Sequence, residues 1–375
     1  MATELHMFQG GANNSTLTIT NNNSSIKKAI PSNAIGVSNN GTTASVTATT
    51  IIPPAWGGAT VTTTNHTYNV EVDDDAAFAG LLCNMSDDYY YFDVGTGGTE
   101  QIAKVDMKSI AFIYDGTLES IGDYFLNGCT NLDCDIIIPT TCKTIGNNFL
   151  YGDTRFNGNV ALPSGTESIG VSFMYQCEKF NKPISIPGSV TTINENFMNL
   201  CKKFNSTISL NEGTVFIHSN FLFGGSLYPF NQPIVIPNSV TSIGNDFLAG
   251  NANFNSPITL SNSLKQLGNG FLFECSTFNQ DVTIPNGMEL IASSNTGHGF
   301  LTRCDKMVHT VNFGSNEASI FGDSNYKQYH MSAATNDVDC YTNGIKIKGD
   351  YAESIHEVLP DKTDSTPFRK LIVTT

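Results

Sequence analysis

Charge is scarce in this sequence. Asp, Glu, Lys and Arg make up 14% of the 375 residues, against about a quarter in an ordinary globular protein. Asn, Thr, Ser and Gly fill the polar share instead, which favours a neutral, strand-rich surface. Basic residues are the scarcer half: 19 Lys and Arg against 34 Asp and Glu leave a net charge of −15. Nucleic acid and anionic membranes need a concentrated basic patch, so neither is an expected partner. No run of about 18 apolar residues occurs, so no transmembrane helix is expected. The opening residues, MATELHMFQGG, have neither a basic start nor an apolar run, and no secretory signal is expected there. Sequons such as Asn65-His66-Thr67 then carry little weight.

Motifs that carry chemistry are missing as well. There is no Gly-x-Ser-x-Gly, no His-Glu-x-x-His and no phosphate-binding loop. The seven histidines, His6, His66, His218, His298, His309, His330 and His356, are scattered, with no partner at metal-ligand spacing. GTGGTE (95–100) lacks the strand and helix that a phosphate loop needs. Asp73, Asp74 and Asp75 lack the Gly and distal Glu of a calcium loop and read as a solvated acidic turn. The expectation is a protein that is not an enzyme and uses no cofactor or metal.

What is present is a repeat. In the pattern Ile-Gly-x-x-Phe-Leu the Phe falls at 125, 149, 173, 197, 221, 247, 271 and 300. The steps are 24, 24, 24, 24, 26, 24 and 29, a register that composition alone does not produce. The consensus is Ile-Gly-x-x-Phe-Leu-x-x-Cys-x-x-Phe-Asn-x-x-Ile-x-Ile-Pro-x-Ser-Val-Thr-x. Its Ile-x-Ile alternation predicts a short strand with one buried face, as at Ile184/Ile186, Ile208/Leu210, Ile234/Ile236, Ile258/Leu260 and Val282/Ile284. Pro139, Pro163, Pro187, Pro237 and Pro285 end that strand, because proline brings no donor to a ladder. Ile-Gly-x-x-Phe-Leu is too short for a long helix and predicts a helical turn or tight arc. One repeat cannot bury its own apolar edge, so stacked neighbours must build the core.

Several columns follow from stacking. Asn157, Asn181, Asn205, Asn231, Asn255 and Asn279 recur after the second Phe. Short amides at a bend can bond the backbone of the next coil, so this column reads as a structural ladder. The position four after the first Phe holds Cys129, Asp153, Cys177, Cys201, Gly225, Asn251, Cys275 and Cys304. It suits small volume rather than a thiol as such. Neighbouring strands lie about 4.8 Å apart, inside the disulfide window, so distance does not forbid Cys177–Cys201; free buried thiols are the expectation. A metal is disfavoured because its ligands must converge, whereas a column runs in line.

Outward strand positions, Ile137, Ala161, Ser185, Ser209, Val235, Thr259, Thr283 and Asn312, carry no titratable group. They read as an ordinary solvated face or as a flat surface for a neighbour or glycan. Arg155, Lys179 and Lys203 recur six after the first Phe, joined by Lys182 and Lys202. Tyr151, Tyr175, Phe223 and Phe273 recur two after it. Together they read either as a grip for an anionic glycan or as a solvated ridge over a packed aromatic column.

The flanks differ in material. Asn, Ser and Thr supply 22 of the 40 residues from 11 to 50, yet STLTIT and ATVTTTNHTYNVEV alternate as strands do. The lone tryptophan, Trp56, lies in the turn-like IPPAWGG. Such a weakly apolar arm is ordered most easily by a partner or a second copy. Phe112 and Tyr114 fit the strand of an entry half-repeat. Residues 315–375 lose the register, with strand-like GIKIKG and FRKLIVTT, and read as a cap. The expected organisation is an N-terminal β-rich attachment segment (1–105), a solenoid (106–314) and a C-terminal capping segment (315–375). The fold class is mainly β with short helical arcs.

Residues 110–314, with motifs such as IPNSVTSIGNDFL (236–248), resemble the BspA-like leucine-rich-repeat family. The resemblance implies a right-handed solenoid whose strands line one sheet. Members of that family are cell-surface or host-contact proteins, and related repeats resemble those of bacteriophage structural proteins. No wall or lipid anchor is evident. The expectation is a non-enzymatic structural or binding protein of a bacteriophage virion surface: a fibre-base, decoration or host-contact subunit. Residues 1–70 would hold it to other virion proteins or to copies of itself, and its coils would face a host glycan or protein. The alternative is a bacterial cell-surface adhesin whose export signal has been removed.

Overall fold

Within each repeat, the alternation of apolar and polar residues decides which backbone becomes strand. Ile184, Ser185 and Ile186 are buried, exposed and buried in turn. The computed structural model describes residues 121–375 apart from 131, 133, 139, 226, 323–324, 334–338, 360 and 362–368, together with the backbone, though not the side chains, of nine strands before residue 121; the Cys340 side chain is not described either. Trp56, Asp73–Asp75, the first four residues of GTGGTE and Pro139 lie outside the described residues. The chain divides into two compact units, Met1–Lys182 and Pro183–Thr375.

In the first unit, the Thr-rich segments form strands, as β-branched residues favour. A four-stranded sheet runs in the order Thr63–Val72, Thr42–Ile51, Ser15–Asn21, Met107–Tyr114. Thr42–Ile51 pairs antiparallel with Thr63–Val72 and parallel with Ser15–Asn21, which runs antiparallel to Met107–Tyr114. Phe112 and Tyr114 therefore belong to this sheet, opposite Leu17 and Ser15, rather than to a strand of the repeat ladder. Lys27–Lys28, Thr99–Ala103 and Tyr89–Asp93 make a three-stranded sheet. Gln9–Gly11 lies antiparallel on Thr117–Ile121. The coils start there: Thr117–Ile121, Thr144–Ile145 and Ser168–Ile169 pair in parallel, as do Ile136–Ile137 and Val160–Ala161.

In the second unit, Thr192–Ile193, Phe216–Ile217, Ser242–Ile243, Gln266–Leu267 and Leu290–Ile291 form an unbroken parallel ladder. The Ile-x-Ile strands are divided. Ile184–Ile186 pairs with Ile208–Leu210, and Ile234–Val235 with Ile258–Thr259. Val282–Thr283, Thr310–Asn312, Ile345–Lys348 and Leu371–Thr374 then form a four-stranded parallel sheet, so residues after 314 extend the stack by two strands.

The continuous ladder is thus the dipeptide before the consensus Gly position, held by Gly244 and Gly268 and by Asn194, His218 and Ala292 in the other coils, not Ile-x-Ile. Prolines explain the difference. Pro183 and Pro187 flank one Ile-x-Ile strand and Pro233 and Pro237 another, which leaves three residues at most with ladder donors. On the other face the Gly lets coils close up. A Cβ at Gly170 would lie 2.5 Å from the Asn147 nitrogen, and one at Gly268 would lie 2.4 Å from the Gly244 carbonyl carbon.

Of the two expectations for Ile-Gly-x-x-Phe-Leu, the tight arc holds and the helical turn does not. Every second residue there has a positive φ: Asn196 59°, Met198 52° and Leu200 61°, then Asp246 56°, Leu248 57° and Gly250 79°. A right-handed helix admits no such alternation. The arc instead bonds across coils, with the Leu248 N–H donating to Phe221 O at 3.0 Å and the Leu272 N–H to Phe247 O at 3.0 Å. The α-helices of the described residues, Asp339–Thr342 and Ala352–Val358, lie in the cap.

Two aromatic columns fill the core of each unit. Phe125, Phe149 and Phe173 stack at 5.7 and 5.1 Å, and Phe156 on Phe180 at 6.0 Å. In the second unit Phe197, Phe221, Phe247, Phe271 and Phe300 stack at 5.6, 5.1, 5.5 and 5.7 Å. Phe204, Phe230, Phe254 and Phe278 do so at 5.5, 5.8 and 5.7 Å. Each buried ring contributes about 1.5–3 kcal/mol, so the repeat is held by its core rather than by strands two or three residues long.

Candidate interaction surface

Polar side chains tie the coils together at the rim. Asn157 Oδ1 accepts from the Asn181 N–H at 2.8 Å in the first unit. In the second, Asn205, Asn231 and Asn255 accept from the N–H of Asn231, Asn255 and Asn279 at 2.8, 2.7 and 2.7 Å, and Asn279 accepts from Val308 N–H at 2.8 Å. The column lies at the surface: Asn157, Asn181 and Asn231 are exposed and the other three half-buried. A second ladder occupies the position after the consensus Gly. Asp123 accepts from Asn147 N–H at 2.7 Å, Asn147 from Val171 N–H at 2.9 Å, and Asn245 from Asn269 N–H at 3.1 Å. Sequence reasoning missed it because its occupants vary, although the signal, a short polar residue after Gly, was present.

The cysteine column serves buried carbonyls. Cys177 Sγ donates to Leu150 O at 3.1 Å, Cys275 to Leu248 O at 3.3 Å and Cys304 to Leu272 O at 3.2 Å. Asn251 replaces the thiol with an amide, its Nδ2 donating to Leu222 O at 2.8 Å. The position therefore suits a compact donor as well as a small volume. Cys129, Cys134, Cys142, Cys177, Cys201, Cys275 and Cys304 are thiols, in no disulfide among the described residues. Burial raises the Cys275 thiol pKa and pushes that of Cys142 up to about 11.

The basic and aromatic candidates are placed as follows. In the first unit Arg155 and Lys179 are exposed and Lys182 half-buried. Tyr151 and Tyr175 are half-buried and stack on each other at 4.9 Å. Burial raises the Tyr151 pKa, with the neighbouring Tyr175 adding to the shift. In the second unit Lys202 and Lys203 are exposed and Phe223 half-buried. Phe273 is engaged by its own chain: His298 stacks on it at 4.0 Å and the Arg303 guanidinium lies 5.5 Å from its centroid. His298 Nδ1 sits 2.9 Å from Asp246 Oδ1, and Arg303 pairs with Glu274. The 29-residue step from Phe271 to Phe300 was the sequence signal for this cluster.

Two outward strand faces remain. The Ile-x-Ile face shows Ile137, 72% exposed, and Ala161 in the first unit. In the second it shows exposed Ser185, Ser209, Thr259 and Thr283, Val235 at 62%, and half-buried Asn312. The unbroken ladder of the second unit presents Thr192, Phe216, Ser242, Gln266 and Leu290, of which Phe216 is 46% exposed. These faces are hydroxyls, amides and isolated apolar groups, which suit contact by shape and hydrogen bond.

The family model described as the BspA type leucine rich repeat region, in six copies, matches residues 119–233 and 227–337. The chain belongs to the BspA-type leucine-rich-repeat family. The matched segments take in all of the Phe columns above and more than half of the chain. No curated protein and no solved structure gave a match. BspA-type repeats mark surface and binding proteins, and leucine-rich repeats generally mediate protein–protein interaction. Among the described residues no group of three or more His, Cys, Asp or Glu is placed to hold a metal ion. No described helix is long and apolar enough to cross a membrane.

Proposed function

We propose that this BspA-type chain is a non-enzymatic binding subunit of a bacteriophage virion surface, attached through its N-terminal segment and contacting the host through its coils. The observation that carries the reading is the contrast of materials. The coils are an aromatic-cored scaffold with neutral outward faces. The N-terminal segment is a set of polar, Thr-rich strands whose outer strand is paired on one side among the described residues. Thr63–Val72 stands at the end of its sheet, ten residues paired on one side without a register shift. It carries no proline, a common guard of exposed edges. A strand of a neighbouring subunit can join such an edge through its backbone.

Deleting residues 1–70, the simplest test from sequence, would also strip Ser15–Asn21 from Met107–Tyr114 and Gln9–Gly11 from Thr117–Ile121. Single prolines in the edge strand are cleaner. Adjacent residues of a strand turn their N–H groups to opposite edges, so one of His66→Pro and Thr67→Pro removes an outward donor and spares the sheet. That variant is expected to keep the parent's circular dichroism and to lose self-association or incorporation into virions. If both variants assemble like the parent, attachment lies elsewhere.

Membership of a family of cell-surface proteins favours a second reading, a bacterial adhesin. Antibody labelling of purified virions against intact host cells separates the two: label on virions supports the first, label on uninfected cells the second.

A further inference from the structure

The C-terminal cap holds N–H donors that no acceptor among the described residues meets. Arg369, two residues before the strand Leu371–Thr374, is 0% exposed. Its Nη1 donates to the carbonyl of Gln328, in the 3-10 turn Lys327–Tyr329. Its Nε and Nη2 are buried without a hydrogen-bond partner among the described residues. Those two nitrogens form one edge of the guanidinium, with N–H bonds side by side. That fork accepts two oxygens of a single carboxylate or phosphate.

His330 supplies a further donor. It too is 0% exposed. The Phe300 N–H donates to its Nδ1 at 3.1 Å, so Nδ1 holds the lone pair and the neutral ring carries its proton on Nε2. Nε2 is buried, with no hydrogen-bond partner among the described residues. Burial, then Arg369 and Lys327, push the His330 pKa down to about 3, so the ring is neutral at ordinary pH and lies within electrostatic reach of Arg369. Asp361 is the carboxylate that favours the Arg369 cation. Its Oδ1 accepts from the Leu371 N–H at 2.8 Å and lies 3.5 Å from His356 Nε2. A buried cation with idle donors is costly until an acceptor arrives.

We propose that Arg369, with His330 nearby, forms a buried oxyanion site in the C-terminal cap, taking a small carboxylate or phosphate-type anion side-on through Nε and Nη2. The anion completes the hydrogen bonding of a residue that already joins the turn at Gln328 to the last strand. It therefore binds the closed cap and not the unfolded chain, and stabilises by mass action.

The test uses the full chain in Tris-chloride, with sodium acetate, phosphate or sulfate added at constant ionic strength. At least one oxyanion is expected to raise the melting midpoint saturably, by about 2–5 °C near 100-fold Kd. General exclusion of kosmotropic salts does not saturate. Equilibrium dialysis with labelled acetate or phosphate should find about one anion per chain. Arg369→Lys keeps the charge and loses the fork, so it should abolish the saturable rise. Absence of both saturable shift and bound anion would overturn the site, as would a shift undiminished in Arg369→Lys. An Arg369→Lys protein that is destabilised while the parent ignores every oxyanion would overturn it too, showing that a carboxylate of the chain itself fills the fork. If Arg369→Lys does not fold, dialysis on the parent decides.

Discussion

Replacing Asn205 by Ala tests whether the amide ladder holds coils together or merely decorates them. Asn205 Oδ1 accepts from the Asn231 N–H at 2.8 Å and lies 3.4 Å from Gln232 Nε2. From sequence alone the loss looks like a buried donor left unpaired, about 1–3 kcal/mol. The structure lowers that figure. The bond to Asn231 lies at the surface, so water can take the place of the lost oxygen, leaving the net value of a hydrogen bond, about 0.5–1.5 kcal/mol. The second contact is near the distance limit and adds little. We therefore expect about 1 kcal/mol. Asn205→Asp keeps an oxygen acceptor and should cost less than half as much, while exposed Lys202→Ala should stay within about 0.5 kcal/mol. Urea unfolding followed by circular dichroism at 222 nm, with midpoint and slope fitted separately, reads the difference. Equal costs for Ala and Asp at position 205, or an Ala cost no larger than that of Lys202→Ala, would refute the ladder as a source of stability.

Phe247→Ala removes a fully buried ring stacked between Phe221 and Phe271 at 5.1 and 5.5 Å; it should cost about 3–5 kcal/mol in the same assay, and a cost below about 1 kcal/mol would show that the column is not the core. The six buried cysteines, Cys129, Cys142, Cys177, Cys201, Cys275 and Cys304, should react slowly with an aromatic disulfide reagent at pH 8 in the folded protein, since burial raises the Cys142 and Cys275 pKa values. All nine cysteines of the chain should titrate after unfolding without reductant, and loss of a pair would reveal a disulfide. His330 sets a pH dependence. Its pKa is about 3 in the folded protein against 6.5 ordinarily, so between those values the unfolded chain binds a proton that the folded chain refuses. Stability should fall as pH drops from about 6.5 toward 3, and His330→Gln should flatten that part of the profile.

The period and the core were legible because they rest on residues that recur in kind. A Phe every 24 positions and Ile at alternate positions can only be stacked rungs. The choice of which strand forms the continuous ladder was not legible from hydrophobicity. Ile184-Ser185-Ile186 is the more strand-like sequence, yet Pro183 and Pro187 confine it. Ser242-Ile243 and Gln266-Leu267 look like fragments of an arc, yet the Gly that follows each, Gly244 and Gly268, lets neighbouring backbones approach. The alternating φ signs at Asn196, Met198 and Leu200 had no signal in residue type, because Met and Leu rarely adopt that conformation and do so here under the constraint of coils above and below. Of the candidate surface, the Asn column was found because its residue never changes. The ladder through Asp123, Asn147, Ser219 and Asn245 was missed because any short acceptor serves: Asn245 N–H donates to Ser219 Oγ at 3.2 Å. Arg369 and His330 lie beyond the repeat register and become neighbours only through the cap.

The repeat divides the chain's positions into those it fixes and those it leaves open, and the division bears on how such a scaffold acquires a partner. Rungs in register draw on the stacked Phe of two columns, the donors Cys177, Asn251, Cys275 and Cys304, the close approach at Gly170 and Gly268, and the Asn acceptors of the rim. None of these residues is free to change for the sake of a ligand without loss of stacking. Outward positions carry no such constraint. Along the unbroken ladder of the second unit the outward residue is Thr192, Phe216, Ser242, Gln266 and Leu290, five residue types on one frame. Val235 likewise stands among Ser185, Ser209, Thr259 and Thr283. Exposed Phe216 and Val235 gain nothing from the fold that a Ser or Thr would not gain. The aromatic and aliphatic departures from the hydroxyl pattern are therefore the places where contact with a partner can contribute binding energy without a cost in stability.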